Sequence, residues 1–400
     1  MNYAFVSTLI PDAMASELYH ISKRNMQDAA NALQWHIYNG LCQNLKTNIS
    51  LINTLPVGSF PQYCKSAYMH RSTFDTKYSK ENVNISFCNI KLIRKTSQTT
   101  NILKELKRWA AKTEGPKTVF VYTASAVFLK AVYTLKKTYT DLIVCDIIAD
   151  LPGLTNLSSK KSFFLKKYEK RMEKASHLYM DSVDYFVLLT KQMAEYLKIQ
   201  KPFCVMEGIS TEFASPPKAK ETGVKTIFYS GTLHKRFGVL NLLNAFISIP
   251  NKDYRLQICG VGDCEENIVQ AALEDSRIDF LGRLPRNEVL TLQKNATVLV
   301  NPRQNNEEFT KYSFPSKNLE YLSSGIPVIA YKLDGIPDDY DPYMHYVRND
   351  SVEALTEKIL EVCEMTEEQR TLNGYAAWKY VSENKNEITQ TKKIVEMLSV

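Results

Sequence analysis

No stretch leaves this chain fewer options than residues 301–329, NPRQNNEEFTKYSFPSKNLEYLSSGIPVI. The apolar run 298–300 stops at Asn301 and Pro302. The loop that follows, to Tyr312, is too polar to bury. Ser313 or Phe314 is placed to cap a helix whose first turn holds Pro315, where a missing N–H costs nothing. Gly325 and Pro327 end that helix, and residues 326–330 read as a buried strand. The segment is therefore strand, polar loop, helix, strand.

Its chemistry is as constrained as its shape. A helix start carries unsatisfied N–H groups and a partial positive charge, so it favours an anion. Lys317 stands in the first turn and Arg303 in the preceding loop. Glu320, four residues after Ser316, lies on the same helical face as Ser316. A carboxylate one turn below a phosphate site can accept hydrogen bonds from both hydroxyls of a ribose. Such a helix start suits a nucleoside diphosphate. The spacing alone also fits a plainer arrangement, a capped helix with a Lys317/Glu320 surface pair.

The rest of the chain repeats the alternation. In the first half, strands are expected at 4–10, 84–88, 118–122, 142–147, 185–189 and 203–206. Helices are expected at 26–44, 101–112, 126–137, 161–179 and 191–198. Strands alternating with helices imply an α/β fold with a mostly parallel sheet. Residues 54–82 lack a period and read as a long loop, a candidate for acceptor contact. Ligands bind beyond the carboxyl ends of such strands. There the loop 146–152 offers Asp150 as an acceptor-side base, or as a turn residue before Pro152. His36, beside Trp35, reads as a packed or surface histidine.

Residues 211–223, centred on Pro216 and Pro217, have linker composition. A second α/β series follows: a strand at 226–229, a turn at 230–232, and a helix at 239–249. Gly231 allows close backbone approach to a ligand, and Lys235 and Arg236 can neutralise a diphosphate. Strand 256–259 runs into Gly260-Val261-Gly262, but position 265 is Glu, so no dinucleotide fingerprint is present. A strand and turn at 278–284 carry Gly282, Arg283 and Leu284. Helices are expected at 352–365, 367–382 and 387–398.

Four hundred residues suffice for two domains. No uncharged apolar stretch is long enough to span a bilayer, and no signal peptide is visible. The eight cysteines are scattered without a CxxC pair, so they read as core residues of a reducing, cytoplasmic protein, not zinc ligands or disulfides. The net charge of +7 permits attraction to anions. No RNA-binding motif or zinc-finger spacing points to nucleic acid. The run 158–174, with seven Lys/Arg among Phe163, Phe164, Leu165 and Tyr168, fits either an anionic membrane surface, on its inner face, or a helix packed on the sheet.

The segment Glu320 with Ser324-Gly325-Ile326-Pro327-Val328-Ile329 resembles the donor-binding segment of retaining GT-B glycosyltransferases of family 4 (group 1), the type found in bacterial capsule and exopolysaccharide synthesis. Residues 184–193 and 205–209 resemble the end of that family's first domain, and Asp334-Gly335-Ile336-Pro337 its later turn. The resemblance implies two Rossmann-like domains facing across a cleft: an acceptor domain at 1–207, a linker at 208–223, and a donor domain at 224–383. A terminal helix within 384–400 would pack back on the first. It further implies a hexosyl transfer, with retention, from a UDP- or GDP-linked sugar to a hydroxyl of a glycan or lipid-linked glycan, without metal or cofactor. Arg236 and Lys317, with Arg303, would stabilise the leaving diphosphate, which itself takes the acceptor proton. Gly231, Lys235, Gly282, Arg283, Leu284 and Ser316 would contact the donor, and Glu320 its ribose. Two positions depart from the family: Tyr312 stands where a second Glu is usual, and Thr232 where Arg is. Two other readings share these residues, a sugar-nucleotide epimerase and a non-catalytic partner in a polysaccharide-assembly complex.

Overall fold

The computed structural model describes residues 1–24, 26–151, 178–210 and 223–399. The chain forms two compact units, Met1–Met206 with Glu387–Val400, and Glu207–Asn386. The basic run 158–174 and the linker residues 211–222 lie outside the described residues.

The first unit is built on an eight-stranded sheet. Its strands lie in the order Phe203–Val205, Tyr185–Leu188, Ile143–Ile148, Lys117–Tyr122, Asn2–Ser7, Ile49–Asn53, Asn82–Asn84 and Ser72–Phe74. All neighbours are parallel except the edge strand Ser72–Phe74, which runs antiparallel to Asn82–Asn84. The central strand Lys117–Tyr122 is buried from end to end, which suits a parallel sheet covered on both faces. The C-terminal helix Glu387–Leu398 belongs to this unit and packs on helix Asp28–Leu45. The two approach so closely that a Cβ on Gly40 would lie 2.3 Å from the Glu387 carbonyl oxygen. Gln43 and Asn44 hydrogen-bond across the same seam to Glu387 and Thr391.

Several expectations change here. Strand Ile49–Asn53 was not anticipated, because it ends in a polar residue; Asn53 is nonetheless buried and satisfied by Ser7, Leu9 and Asn84. Residues 54–82 are not a bare loop, since Tyr68–Met69 and Ser72–Phe74 pair as short strands. Helix Arg94–Lys112 begins two turns earlier than its apolar period suggests, with a polar first turn. Asp146 lies inside strand Ile143–Ile148, not in the loop after it.

The second unit holds a six-stranded, wholly parallel sheet in the order Ile278–Phe280, Tyr254–Val261, Lys225–Thr232, Val298–Asn301, Val328–Ala330, His345–Tyr346. Lys225–Thr232 comes first in sequence and lies in the middle. The chain lays strands to one side of it and then crosses to the other. Loops leaving Lys225–Thr232 and Val298–Asn301 therefore diverge at the switch point, where open α/β sheets place their ligands. The strand ends are tight. A Cβ on Gly260 would lie 1.8 Å from the Gly231 carbonyl oxygen, and one on Gly238 (φ +76°) 1.9 Å from that of Pro302. Glu207, the first residue of this unit, and Lys385, next to its last, form a buried ion pair at 2.9 Å, and Lys385 also reaches Asp339 at 3.1 Å.

Candidate functional site

The helix that carries Lys317 and Glu320 spans Ser316–Leu322. Pro315 is its N-cap and no side chain caps it. Ser313 is otherwise engaged: its hydroxyl accepts from Arg303 Nη2 at 2.7 Å and donates to the Phe309 carbonyl at 3.0 Å. The helix ends at Leu322, before Gly325. The hydroxyls of Ser323 and Ser324 bond back to the carbonyls of Leu319 and Tyr321, competing with further helical turns. Gly325, three residues past the helix end, adopts φ +76°. The adjoining strand also differs from expectation, since residues 230–232 complete Lys225–Thr232 and form no turn.

Glu320 is the centre of a dense polar group at the carboxyl edge of the sheet. Its Oε1 accepts from Gln293 Nε2 at 2.6 Å and from Lys317 Nζ at 3.2 Å. Its Oε2 accepts from Arg286 Nη1 at 3.1 Å. The carboxylate is 17% exposed. Burial alone would raise its pKa, but the charge of Lys317, the Gln293 hydrogen bond and the charge of Arg286 outweigh it and the pKa is lowered. Glu320 is thus an anion at neutral pH. With three donors seated, a carboxylate of about four lone-pair sites retains room for one more.

Lys317 extends from Glu320 toward the central strand. Its Nζ lies 3.5 Å from Ser230 Oγ, and its Cε lies 3.6 Å from where a Cβ on Gly231 would stand. Gln293, fully buried, also reaches Ser230 Oγ at 3.4 Å. Beneath them the buried Tyr321 hydroxyl accepts from the Ser230 N–H at 2.9 Å and fixes the strand to the helix. Gln293 and Arg286 come from helix Arg286–Asn295, two turns apart on one face. Sequence reading missed both, although their seven-residue spacing carried a signal.

A second group bridges the two diverging loops. Arg236, in the turn Lys235–Phe237, pairs with Glu307 at 2.6 Å. Its guanidinium lies 4.3 Å from the centroid of Phe309, and that of Arg303 lies 4.4 Å from the same ring. Both arginines keep a buried Nε–H without an acceptor. Burial, together with the neighbouring charge of Arg236, lowers the pKa of Arg303 to about 10. Two cations share one ring, one carboxylate answers them, and two buried donors are unsatisfied. That composition favours a further anion.

Other sequence candidates are spread around these groups. Lys235 is exposed, and its backbone N–H is bound to Asp263 at 3.0 Å. The Gly282 carbonyl accepts from the Gly260 N–H at 2.8 Å, with φ +61° at Gly282. Arg283 is exposed, and Leu284 is half-buried against the core. Ser316 is exposed at the helix start. Asp150 belongs to the first unit, at the carboxyl edge of strand Ile143–Ile148, where desolvation raises its pKa. Among the described residues, no group of His, Cys, Asp and Glu side chains could hold a metal ion.

Residues 210–378 match the family model described as "Glycosyl transferases group 1". The match falls within the second unit. No curated protein sequence is significantly similar to the chain. Solved structures resemble it along its whole length. Sucrose-phosphate synthase from Thermosynechococcus elongatus has 12% identity, coverage of 100% of this chain and 98% of that one, and a TM-score of 0.66. The lipopolysaccharide outer core galactosyltransferase WaaB has 14% identity, coverage of 100% and 99%, and a TM-score of 0.61. A mutant of S. aureus TarM, in complex with Fondaparinux, alpha-GlcNAc-glycerol and UDP, has 9% identity, coverage of 100% of both chains, and a TM-score of 0.58. At such identities the likeness shows the fold, which is GT-B.

Proposed function

We propose that this chain is a retaining glycosyltransferase that moves a hexose from a UDP- or GDP-linked sugar to a hydroxyl of a glycan or lipid-linked glycan in polysaccharide synthesis. The observation that carries this reading is the ionised, half-enclosed Glu320. It lies beside Lys317 at the switch point of the sheet whose unit matches the group 1 glycosyltransferase model. A carboxylate with one open lone-pair site suits a ribose hydroxyl. The unsatisfied Nε–H groups of Arg236 and Arg303 suit the adjoining diphosphate.

The roles follow from charge. When the bond from the anomeric carbon to the β-phosphate oxygen breaks, negative charge grows on the nucleoside diphosphate. Lys317, Arg236 and Arg303 neutralise that growing charge in place of a metal. The acceptor oxygen forms the new bond, and its proton passes to the departing phosphate. Gly231 leaves room for the donor beside Lys317, while Gly282, Arg283 and Leu284 meet the base. Lys235 and Ser316 lie at the rim. Asp150 is a candidate for orienting the acceptor.

A thermal-shift panel of UDP-, GDP- and ADP-sugars tests the donor, because a ligand that binds the native state raises its midpoint. One nucleotide class should raise it, and Glu320→Ala should reduce the rise at the same ligand concentration. No shift with any of them removes the reading. Product analysis with a glycan acceptor separates transfer from epimerisation, which releases an altered sugar without an acceptor.

A further inference from the structure

The first unit carries a surface unlike the rest of the molecule. Three neighbouring parallel strands, Asn2–Ser7, Ile49–Asn53 and Asn82–Asn84, end at the same edge of their sheet. The segments that leave them are tied into one surface. Ser22 bridges Cys64, the Lys65 N–H donates to the Ile21 carbonyl, Phe60 bridges Ile90, and the Asn89 N–H donates to the Ala67 carbonyl.

The tip of this surface is apolar and uncovered. Leu92 is 91% exposed, more than any other large hydrophobic residue described, and Ile93 and Ile90 flank it at 50% and 43%. A tight turn displays them, with the N–H groups of Ile93 and Arg94 both bonded to the Ile90 carbonyl. Tyr68, opposite Cys88, adds a fourth exposed apolar side chain. Isolated exposed leucines are ordinary, but four large apolar residues on one small surface mark a contact site.

The charge around that tip has one sign. Residues 18–24, 55–70 and 86–104 contain no Asp or Glu. They present Lys23, Arg24, Lys65 and Lys91, all exposed. The acids that border these segments do not undo this. Glu105 is buried and paired with Arg71 and Arg108, and Asp28 accepts from the Tyr19 hydroxyl at 2.6 Å. Asp12, Glu17, Asp75 and Glu81 lie outside the three segments.

We infer that this surface docks on an anionic lipid bilayer, with Leu92 and Ile93 entering the headgroup–acyl boundary and Lys23, Arg24, Lys65 and Lys91 meeting lipid phosphates. An apolar wedge ringed by cations is the composition that binds anionic membranes and not neutral ones. A protein partner would fit the apolar tip, but nothing in the three segments supplies the opposite charge that a mixed interface uses. The inference stands apart from the proposed glycosyl transfer, and separate measurements test the two.

Sedimentation of the full chain with phosphatidylglycerol vesicles, and with phosphatidylcholine vesicles as the neutral control, is the test. The chain should pellet with the first at low salt, release as salt rises, and stay in solution with the second. Leu92→Glu with Ile93→Glu should weaken binding at least tenfold, and Lys91→Ala about fivefold, the effect of one surface cation. Leu273→Glu, at a 78% exposed leucine of the second unit, should change nothing. The substituted side chains are exposed, so each variant should keep the wild-type thermal midpoint and the wild-type response to sugar nucleotides. Failure of the wild-type chain to pellet at low salt overturns the inference. So does binding by the Leu92/Ile93 variant equal to wild type, which would move the contact to another part of the chain.

Discussion

Glu320 and Asp146 are both acids drawn into the second and first units, and they have opposite fates. Glu320 gathers donors from Gln293, Lys317 and Arg286, and its pKa falls. Asp146 is fully buried and neither of its oxygens has a partner. Its register neighbours on the flanking strands are Val121 and Phe186, and neither of those side chains offers a hydrogen. Desolvation raises its pKa well above the ordinary carboxylate value. Burial is common to both. What separates them is whether other elements bring cations and amides to meet the carboxylate. The acid with a built environment is the one a ligand can use.

That contrast breaks first at Lys317. If Lys317 acts on charge that develops only in the transition state, Lys317→Ala should lower turnover by roughly 10²–10³-fold, with a smaller change in donor KM. Steady-state kinetics read both numbers. A variant that keeps full turnover leaves the Lys317–Glu320 pair a structural contact. Asp146 gives the opposite sign in a stability measurement. Its folded pKa is raised, so its contribution is most favourable below the unfolded value near 3.9 and is lost as pH rises toward the folded pKa. Over that window the wild-type chain should lose up to about 1.4 kcal/mol of unfolding free energy per pH unit relative to Asp146→Asn. Urea melts at pH 4, 5, 6 and 7 measure the difference. A constant difference would mean that Asp146 is solvated or paired in solution.

Glu320→Ala sharpens the comparison from the other side. Hydrogen bonds to a charged group contribute about 1.5–3 kcal/mol, so donor KM should rise roughly tenfold or more. Unchanged donor kinetics in a folded variant would remove the ribose role.

The legibility of these two acids in the sequence differs for the same physical reason. Glu320 and Lys317 share a helix three residues apart, and local periodicity brings them to 3.2 Å. Five of the six parallel strands of the second unit were legible likewise, because buried strands such as Val298–Asn301 and Val328–Ala330 carry short apolar runs, whereas the edge strand His345–Tyr346 does not. What local pattern cannot carry is partnership across the fold. Arg236 meets Glu307 from 71 positions away, and Gln293 meets Glu320 from 27. Strand Ile49–Asn53 escaped notice because Asn53 looks like a solvent residue until Ser7, Leu9 and Asn84 surround it. The cap at Ser313 failed because Arg303 had claimed its hydroxyl. In each case the partner lies outside the residue's own turn, where local pattern does not reach.

Arg286 gives the smallest effect and the finest test of how Glu320 is held. Its side chain is 60% exposed, and exposed ion pairs are worth about 0–1 kcal/mol. Arg286→Ala should therefore leave the global thermal midpoint unchanged. It occupies Glu320 Oε2, the oxygen that carries only one donor and so faces the open lone-pair site. If a ribose hydroxyl competes with Arg286 for that oxygen, its removal should lower donor KM by about twofold to fivefold. If Arg286 instead orients the carboxylate for the ribose, donor KM should rise by a similar factor. The two directions separate a group that yields its place to the donor from one that prepares it. An unchanged KM would assign the hold on Glu320 to buried Gln293 and Lys317 alone.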